Sequence, residues 1–152
     1  MTRTVNIGLI GAGTVGSGVV QALKRNGALM ASRLGVRLRV TRVAVRSLRK
    51  KRDFKVPPSA LTTDWRAVVD EPKVDLVVEL IGGTTTAKDV VLAALRAGKP
   101  VVTANKALLA FHGEKLFAAA EKSGANLYYE ASVAGGVPII KVIREALVGN
   151  RV

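Results

Sequence analysis

An α/β fold with a doubly wound parallel sheet is what this sequence predicts, and three observations carry the prediction. Short apolar runs rich in Val, Leu and Ile alternate with stretches of helical periodicity along the whole chain, the pattern of successive β-α-β units. The first run passes straight into Gly11-Ala12-Gly13-Thr14-Val15-Gly16 and then into a helix. Hydrophobic residues fill 49% of the 152 positions, which suits a sheet buried on both faces and excludes a disordered chain. The length fits one domain with its own core, so residues 1–152 read as a single domain of the Rossmann type.

Strands are expected at residues 5–10, 40–45, 76–81 and 100–103, where apolar runs mark buried parallel strands, with a further strand at 126–130. Val15, Val19, Ala22 and Leu23 fall on one helical stripe after the first strand; Ala87, Val90, Val91, Ala94 and Leu95 form another. The glycine turn and the second strand lie unusually far apart, and a loop over 26–35 is expected to absorb the surplus. Thr86 and Asp89 have the spacing of a capping box, and Gly98 and Pro100 end that helix. Residues 106–123 read as helix with a break near His112-Gly113. Pro138 suits the first position of a last helix, with Ile139, Ile143, Ala146 and Leu147 on one face and a stop at Gly149-Asn150-Arg151-Val152. The polar stretch 50–64, with Pro57-Pro58, reads as a loop, and 65–69 as a short helix closed by Pro72.

Composition removes several classes. No apolar stretch approaches the length of a membrane span, and no separate apolar leader precedes the first strand. Cysteine is absent, which leaves neither disulfides nor thiolate metal sites. A cytoplasmic protein is expected. The formal net charge is +13, and its distribution is uneven: twelve Lys or Arg residues precede Asp53, and no acid does. The densest part is Arg46-Ser47-Leu48-Arg49-Lys50-Lys51-Arg52. Such a run can bind nucleic acid, lie solvated, or recognise phosphate on a small ligand. No helix-turn-helix, zinc or stacking signature accompanies it, and aromatic residues are only 4% of the chain, so nucleic acid is not the expected partner.

The glycine turn is suited to a dinucleotide pyrophosphate. Gly11 permits the tight turn, Gly13 leaves no side chain between backbone and phosphate, and Gly16 lets helix and strand pack closely. The helix N-terminus, with Ala12, Thr14 and Val15 around it, offers free N–H groups and partial positive charge. At the end of the second strand a carboxylate would meet the ribose hydroxyls of NAD, whereas an arginine would meet the 2′-phosphate of NADP. Arg46 and Ser47 stand there, and no acid is near. NADP(H) is therefore the expected cofactor, with Arg46 as clamp and Ser47 and the following basic residues as helpers.

Three more segments end strands on what the fold makes the ligand side. They are Asp75-Leu76-Val77-Val78-Glu79-Leu80-Ile81-Gly82-Gly83-Thr84, Gly98-Lys99-Pro100-Val101-Val102-Thr103-Ala104-Asn105-Lys106 and Glu130-Ala131-Ser132-Val133-Ala134-Gly135-Gly136-Val137-Pro138. Gly82, Gly83 and Thr84 should lie beside the cofactor. A lysine at position 106, just past a strand and at a helix start, faces the crevice, where its ammonium can stabilise a developing alkoxide. Together with the glycine turn, these segments resemble homoserine dehydrogenase, specifically its N-terminal NAD(P)-binding domain, over essentially the whole chain.

The resemblance implies NAD(P)-dependent interconversion of L-homoserine and L-aspartate 4-semialdehyde, serving threonine, methionine and isoleucine synthesis. It implies that Lys106 sits at the nicotinamide and substrate end of the cleft, that Thr103 and Asn105 shape the same pocket, and that Lys106 helps polarise the reacting oxygen. It also implies a monovalent cation such as Na⁺ held by Glu130 and the backbone carbonyls of Val133, Gly135 and Val137. His112, the lone histidine, reads as structural or exposed. The family's enzymes continue into a substrate and dimerisation domain that supplies an Asp and a second Lys. No such pair in that context occurs here, so the chain is expected to be the cofactor domain of a homodimeric enzyme, inactive alone. Two other readings compete. Oxidoreductases of the sugar or inositol dehydrogenase type share the glycine turn but typically carry Glu-Lys-Pro where this chain has Thr103-Ala104-Asn105-Lys106. A non-catalytic NADP(H)-binding module on the same fold is the other.

Overall fold

The computed structural model describes residues 2–147 and 149. Six strands form one parallel sheet in the order β3-β2-β1-β4-β5-β6. The strands are β1 (Arg3–Ile10), β2 (Val36–Ala44), β3 (Leu61–Thr62), β4 (Leu76–Glu79), β5 (Val101–Thr103) and β6 (Leu127–Tyr128). The helices are α1 (Thr14–Leu34), α2 (Arg66–Val69), α3 (Thr85–Arg96), α4 (Lys106–Ser123), α5 (Glu130–Val133) and α6 (Ile139–Lys141), the last continuing into a π-helical turn at Val142–Ala146. Among the described residues no helix is long and apolar enough to cross a membrane.

Alternation along the strands divides the core in two. Ile7, Leu9, Val43 and Val78 face α1, where Val20 and Leu23 pack on them. Ile10, Ala44, Val77 and Val101 point the other way, onto Val90, Ala94 and Leu95 of α3 and Leu108 and Leu116 of α4. Burying a side chain of this size contributes roughly 1.5–3 kcal/mol. Gly8 marks the tightest packing on this second face: a Cβ there would lie 2.6 Å from Val68 and 2.9 Å from Val74. Polar clasps hold α2 in place. Lys99, just before β5, donates through Nζ to the carbonyls of Val69 and Glu71 at 2.6 Å each, and burial lowers the pKa of its ammonium. Arg42 of β2 pairs with Glu71 at 3.0 Å.

The sheet follows the sequence reading in its main strands, with departures that have local causes. The expected loop over 26–35 is helix: α1 runs to Leu34 and ends at Gly35, whose φ of 69° and N–H bond to Ala31 close it. Asn26 and Gly27 are weak helix formers, but the following Ala28-Leu29-Met30-Ala31 carries the helix on. β2 therefore begins at Val36, with exposed Arg37 and Arg39 alternating with half-buried Leu38 and Val40. α4 is unbroken at His112-Gly113. Thr84, not Thr86, takes the cap position of α3, and no side-chain cap bond forms there. Pro138 caps α6 instead of entering it. The expected strands at 76–81 and 126–130 shorten to four and two residues. β3 lies inside the stretch that reads as loop. The expected stop at Gly149-Asn150-Arg151-Val152 lies outside the described residues apart from Gly149.

Candidate functional site

β1 sits at the centre of the sheet, with β2 on one side and β4 on the other. Its carboxyl end is therefore the point where strand order reverses, the place where this architecture opens a crevice. Gly11 leaves the strand at φ 100° and donates its N–H to Ala44 O at 2.9 Å. A Cβ on Gly11 would lie 2.7 Å from the carbonyl oxygen of Leu80, and one on Gly16 would overlap the carbonyl oxygen of Gly11. Those two glycines are required by the protein's own packing. Gly13 differs: a Cβ there would meet nothing within 4 Å. Space is kept in front of it, and it is also the N-cap of α1, where no side chain caps the helix. The first-turn amides around Gly13, Thr14 and Val15 thus offer donors and the positive end of a 21-residue helix.

A cavity of about 340 Å³ lies against this turn. Ala12, Gly13, Thr14, Ser17, Gly18 and Gln21 form one wall, and Lys50, Lys51, Arg52 and Asp53 the other. The second wall is tied down from within. Arg52 donates to the carbonyls of Ser47 and Lys50, and Gln21 Nε2 donates to Asp53 O at 3.3 Å. Arg46 and Ser47 follow the end of β2 and are exposed, but neither lines the cavity. Of the basic stretch 46–52, Lys50, Lys51 and Arg52 line this cavity. Asp53 and Gln21, which complete the closure over the turn, were not singled out because a loop's path has no periodicity to read.

The second half of the crevice follows β4 and β5. Gly82 and Gly83 both have φ 71°, and Thr84 leads into α3. Leu80 N–H donates to Ile10 O at 2.8 Å, which sets this turn beside the first one. Beyond β5, Asn105 caps α4: its Oδ1 accepts from Leu108 N–H at 3.0 Å, and its Nδ2 donates to Gly83 O at 2.7 Å. Lys106 is then the first residue of α4 and is exposed. Thr103, Glu79 and Ser132 are buried beneath. The Thr103 hydroxyl donates to Glu79 Oε2 at 2.7 Å, and Ser132 Oγ donates to Thr103 O at 2.8 Å. Sequence reasoning had placed Thr103, Asn105, Gly82 and Gly83 here, and missed Glu79 and Ser132. A Glu within the apolar run 76–81 was the available signal for Glu79.

The segment 130–137 follows β6 and touches the crevice floor through Ser132. Glu130 accepts from the Ile140 N–H at 2.9 Å and the Lys141 N–H at 3.0 Å, one bond to each carboxylate oxygen. It thereby ties the start of α5 to α6. The Val137 carbonyl accepts from Ile139 N–H at 2.8 Å. Among the described residues no cluster of three or more His, Cys, Asp or Glu side chains is placed to hold a metal. A larger cavity, about 820 Å³, lies next to β6 and α6 and shares no lining residue with the glycine turns. It is not the crevice that the chemistry points to.

Comparisons with known proteins agree with this geometry. Residues 11–130 match the family model described as homoserine dehydrogenase, NAD binding domain. A homoserine dehydrogenase from Pseudomonas aeruginosa is 46% identical over 150 residues, covering 99% of this chain and 34% of the relative. One from Bacillus subtilis is 42% identical, covering 99% and 35%. The chain thus spans about a third of the length of these relatives. The crystal structure of a homoserine dehydrogenase from Thiobacillus denitrificans superposes with a TM-score of 0.88 at 46% identity, covering 98% of this chain and 34% of that one. A hyperthermophilic archaeal homoserine dehydrogenase in complex with NADPH gives a TM-score of 0.76 at 27% identity, covering 97% and 50%. The chain belongs to the homoserine dehydrogenase family, as its NAD-binding domain.

Proposed function

We propose that this chain is a single cofactor domain that seats NADP(H) in preference to NAD(H), and that it serves an enzyme interconverting L-homoserine and L-aspartate 4-semialdehyde. The observation that carries the reading is the open space in front of Gly13 at an uncapped helix N-terminus, facing a wall of Lys50, Lys51 and Arg52. A pyrophosphate fits there: N–H donors on one side, cations on the other, and no carboxylate at the end of β2 to repel a further phosphate. Arg46 and Ser47, exposed just past β2, are the groups we assign to the 2′-phosphate.

The bound dinucleotide supplies or accepts the hydride. The chain's own residues hold and orient it. Ala12, Thr14 and Val15 flank Gly13 on the pyrophosphate side, while Gly11 and Gly16 shape the turn. Gly82, Gly83 and Thr84 carry the crevice toward the nicotinamide. Thr103 and Asn105 set the turn from which Lys106 projects, and its ammonium is placed to stabilise an alkoxide oxygen on the substrate. Asn105 and Lys106 are the substrate-side residues of this domain. The remaining acid–base groups and the homodimer contacts are assigned to the length that the relatives have beyond this match.

A monovalent cation such as Na⁺ is the second ligand we assign, on Glu130 and the carbonyls of Val133, Gly135 and Val137. The donors fit a hard cation: all are oxygens, with one formal negative charge. Glu130 keeps lone pairs beyond the two amide bonds it accepts.

Calorimetric titration of this chain tests the reading. NADPH should bind, NADH should bind more weakly, and added homoserine should yield no NADPH from NADP⁺. Absence of binding by either reduced dinucleotide overturns the cofactor assignment; sustained homoserine-dependent turnover overturns the division of labour.

A further inference from the structure

Among the described residues one ionisable side chain is fully buried and lies outside the proposed binding roles. Glu79, the last residue of β4, is 0% exposed and makes no ion pair among the described residues. Its partners are all in the crevice walls. Oε1 accepts from Ile81 N–H at 2.9 Å, which fixes the approach to the Gly82-Gly83 turn. Oε2 accepts from the Thr103 hydroxyl, and that hydroxyl in turn accepts from Asn105 N–H at 3.1 Å. Every proton in this chain therefore points one way, from Asn105 to Thr103 to Glu79. The end of such a chain must be a pure acceptor. An amide would turn a donor toward Thr103 or toward Ile81, and either choice leaves a buried donor without a partner.

We infer that Glu79 is a positioning residue for the nicotinamide half of the cleft: by accepting from both turns it fixes the Gly82-Gly83 loop and the Thr103–Lys106 turn relative to each other. Asn105 closes the ring, because its side chain joins the same two segments from above. Ser132 attaches the segment after β6 to the same point through the Thr103 carbonyl. Among the described residues no side chain of this network bonds to the first glycine turn or the basic wall; the two turns meet only through backbone, where Leu80 N–H bonds to Ile10 O, and through the packing of Gly11 on Leu80 and Ile81. The Glu79 carboxylate therefore holds the nicotinamide half directly and touches the adenosine half through no side-chain bond. This inference rests on the proposed binding mode.

The test uses two ligands on the full chain: NADPH, and adenosine 2′,5′-bisphosphate, which carries the adenosine end alone. Glu79→Gln should weaken NADPH about tenfold, from the loss of one buried hydrogen bond, and reduce the enhancement of nicotinamide fluorescence on binding. It should leave the bisphosphate within about twofold, the scatter expected for a separate site. Thr103→Val should do the same, Thr103→Ser should restore NADPH binding, and the two losses should not add, since both variants break one chain of bonds. The Thr103 pair carries the test if Glu79→Gln does not fold. Parallel losses for both ligands, or unchanged NADPH binding in folded variants, overturn the inference. A wild-type chain that binds neither ligand overturns the proposed binding mode as well.

Discussion

Asn105 donates to the carbonyl of Gly83 at 2.7 Å, so one side chain links the start of α4 to a glycine turn 22 residues earlier. The same side chain caps α4 through Leu108 N–H. Asn105→Ala loses both bonds and leaves a turn carbonyl without its partner. The expected cost is about 2–3 kcal/mol, adding a lost cap to an unsatisfied acceptor. Asn105→Asp keeps the cap but sets a carboxylate oxygen against the Gly83 carbonyl, so it too should be less stable than wild type. Urea midpoints at constant slope measure both losses; an alanine variant as stable as wild type contradicts the assignment.

Gly11 and Gly13 should respond oppositely to the same substitution. Gly13→Ala meets open space at an ordinary φ of −77°. Its folding free energy should change by no more than about 1 kcal/mol, while its methyl group occupies ground reserved for phosphate and dinucleotide affinity falls at least about tenfold. Gly11→Ala puts a side chain at φ 100° against the Leu80 carbonyl and should lose about 2 kcal/mol or more of stability. Thermal melts paired with NADPH titrations separate the two effects.

Arg46→Asp places a carboxylate where the chain carries none until Asp53. NADPH binding should fall far more than NADH binding, because only the former brings the additional phosphate. Lys50→Ala with Lys51→Ala should instead weaken both dinucleotides, since these residues stand opposite the glycine turn that the two ligands share. Titration of both variants with both ligands reads the difference. Equal losses in Arg46→Asp remove that arginine from its role.

Acid stability should depend on Glu71. The hydrogen bond from Arg42, and then the Lys73 N–H, hold its carboxyl below the ordinary value of 4.5. A lowered native pKa means that the unfolded chain binds its proton first as pH falls. The stabilisation is therefore complete above 4.5 and is lost on acidification through the native pKa. Glu71→Gln should flatten the melting-temperature profile in that acid window and leave it parallel to wild type above it. An unchanged acid limb in the variant contradicts the pairing.

Much of this molecule could be read from its residues, for reasons that vary by element. Val5 to Ile10 and the glycines after it announce a strand, a turn and a helix because each step needs a specific residue type. The Thr103–Lys106 turn was equally visible, since it stands where a strand run ends and a helical run begins. β3 was not visible: two residues hydrogen-bonded to Val43 and Ala44 carry no period of their own. The far end of α1 was missed because Asn26 and Gly27 read as punctuation, while the helix-forming run Ala28-Leu29-Met30-Ala31 carries the helix through. Glu79 illustrates the remaining limit. Its carboxyl has meaning only through Thr103, 24 residues later, and spacing along a chain does not disclose a bond across adjacent strands.

The uneven placement of acids has a consequence for how ligand and protein meet. Residues 1–52, which build β1, α1 and β2, hold twelve of the 24 cations and none of the 11 acids, so nearly the whole surplus of positive charge belongs to one wing of the sheet. That wing also forms one side of the dinucleotide cleft. The five cations of residues 46–52 follow the carboxyl end of β2, on the glycine-turn side, and the capture rate of an anionic ligand there should drop as added salt shortens the reach of their field to about 10 Å at 0.1 M.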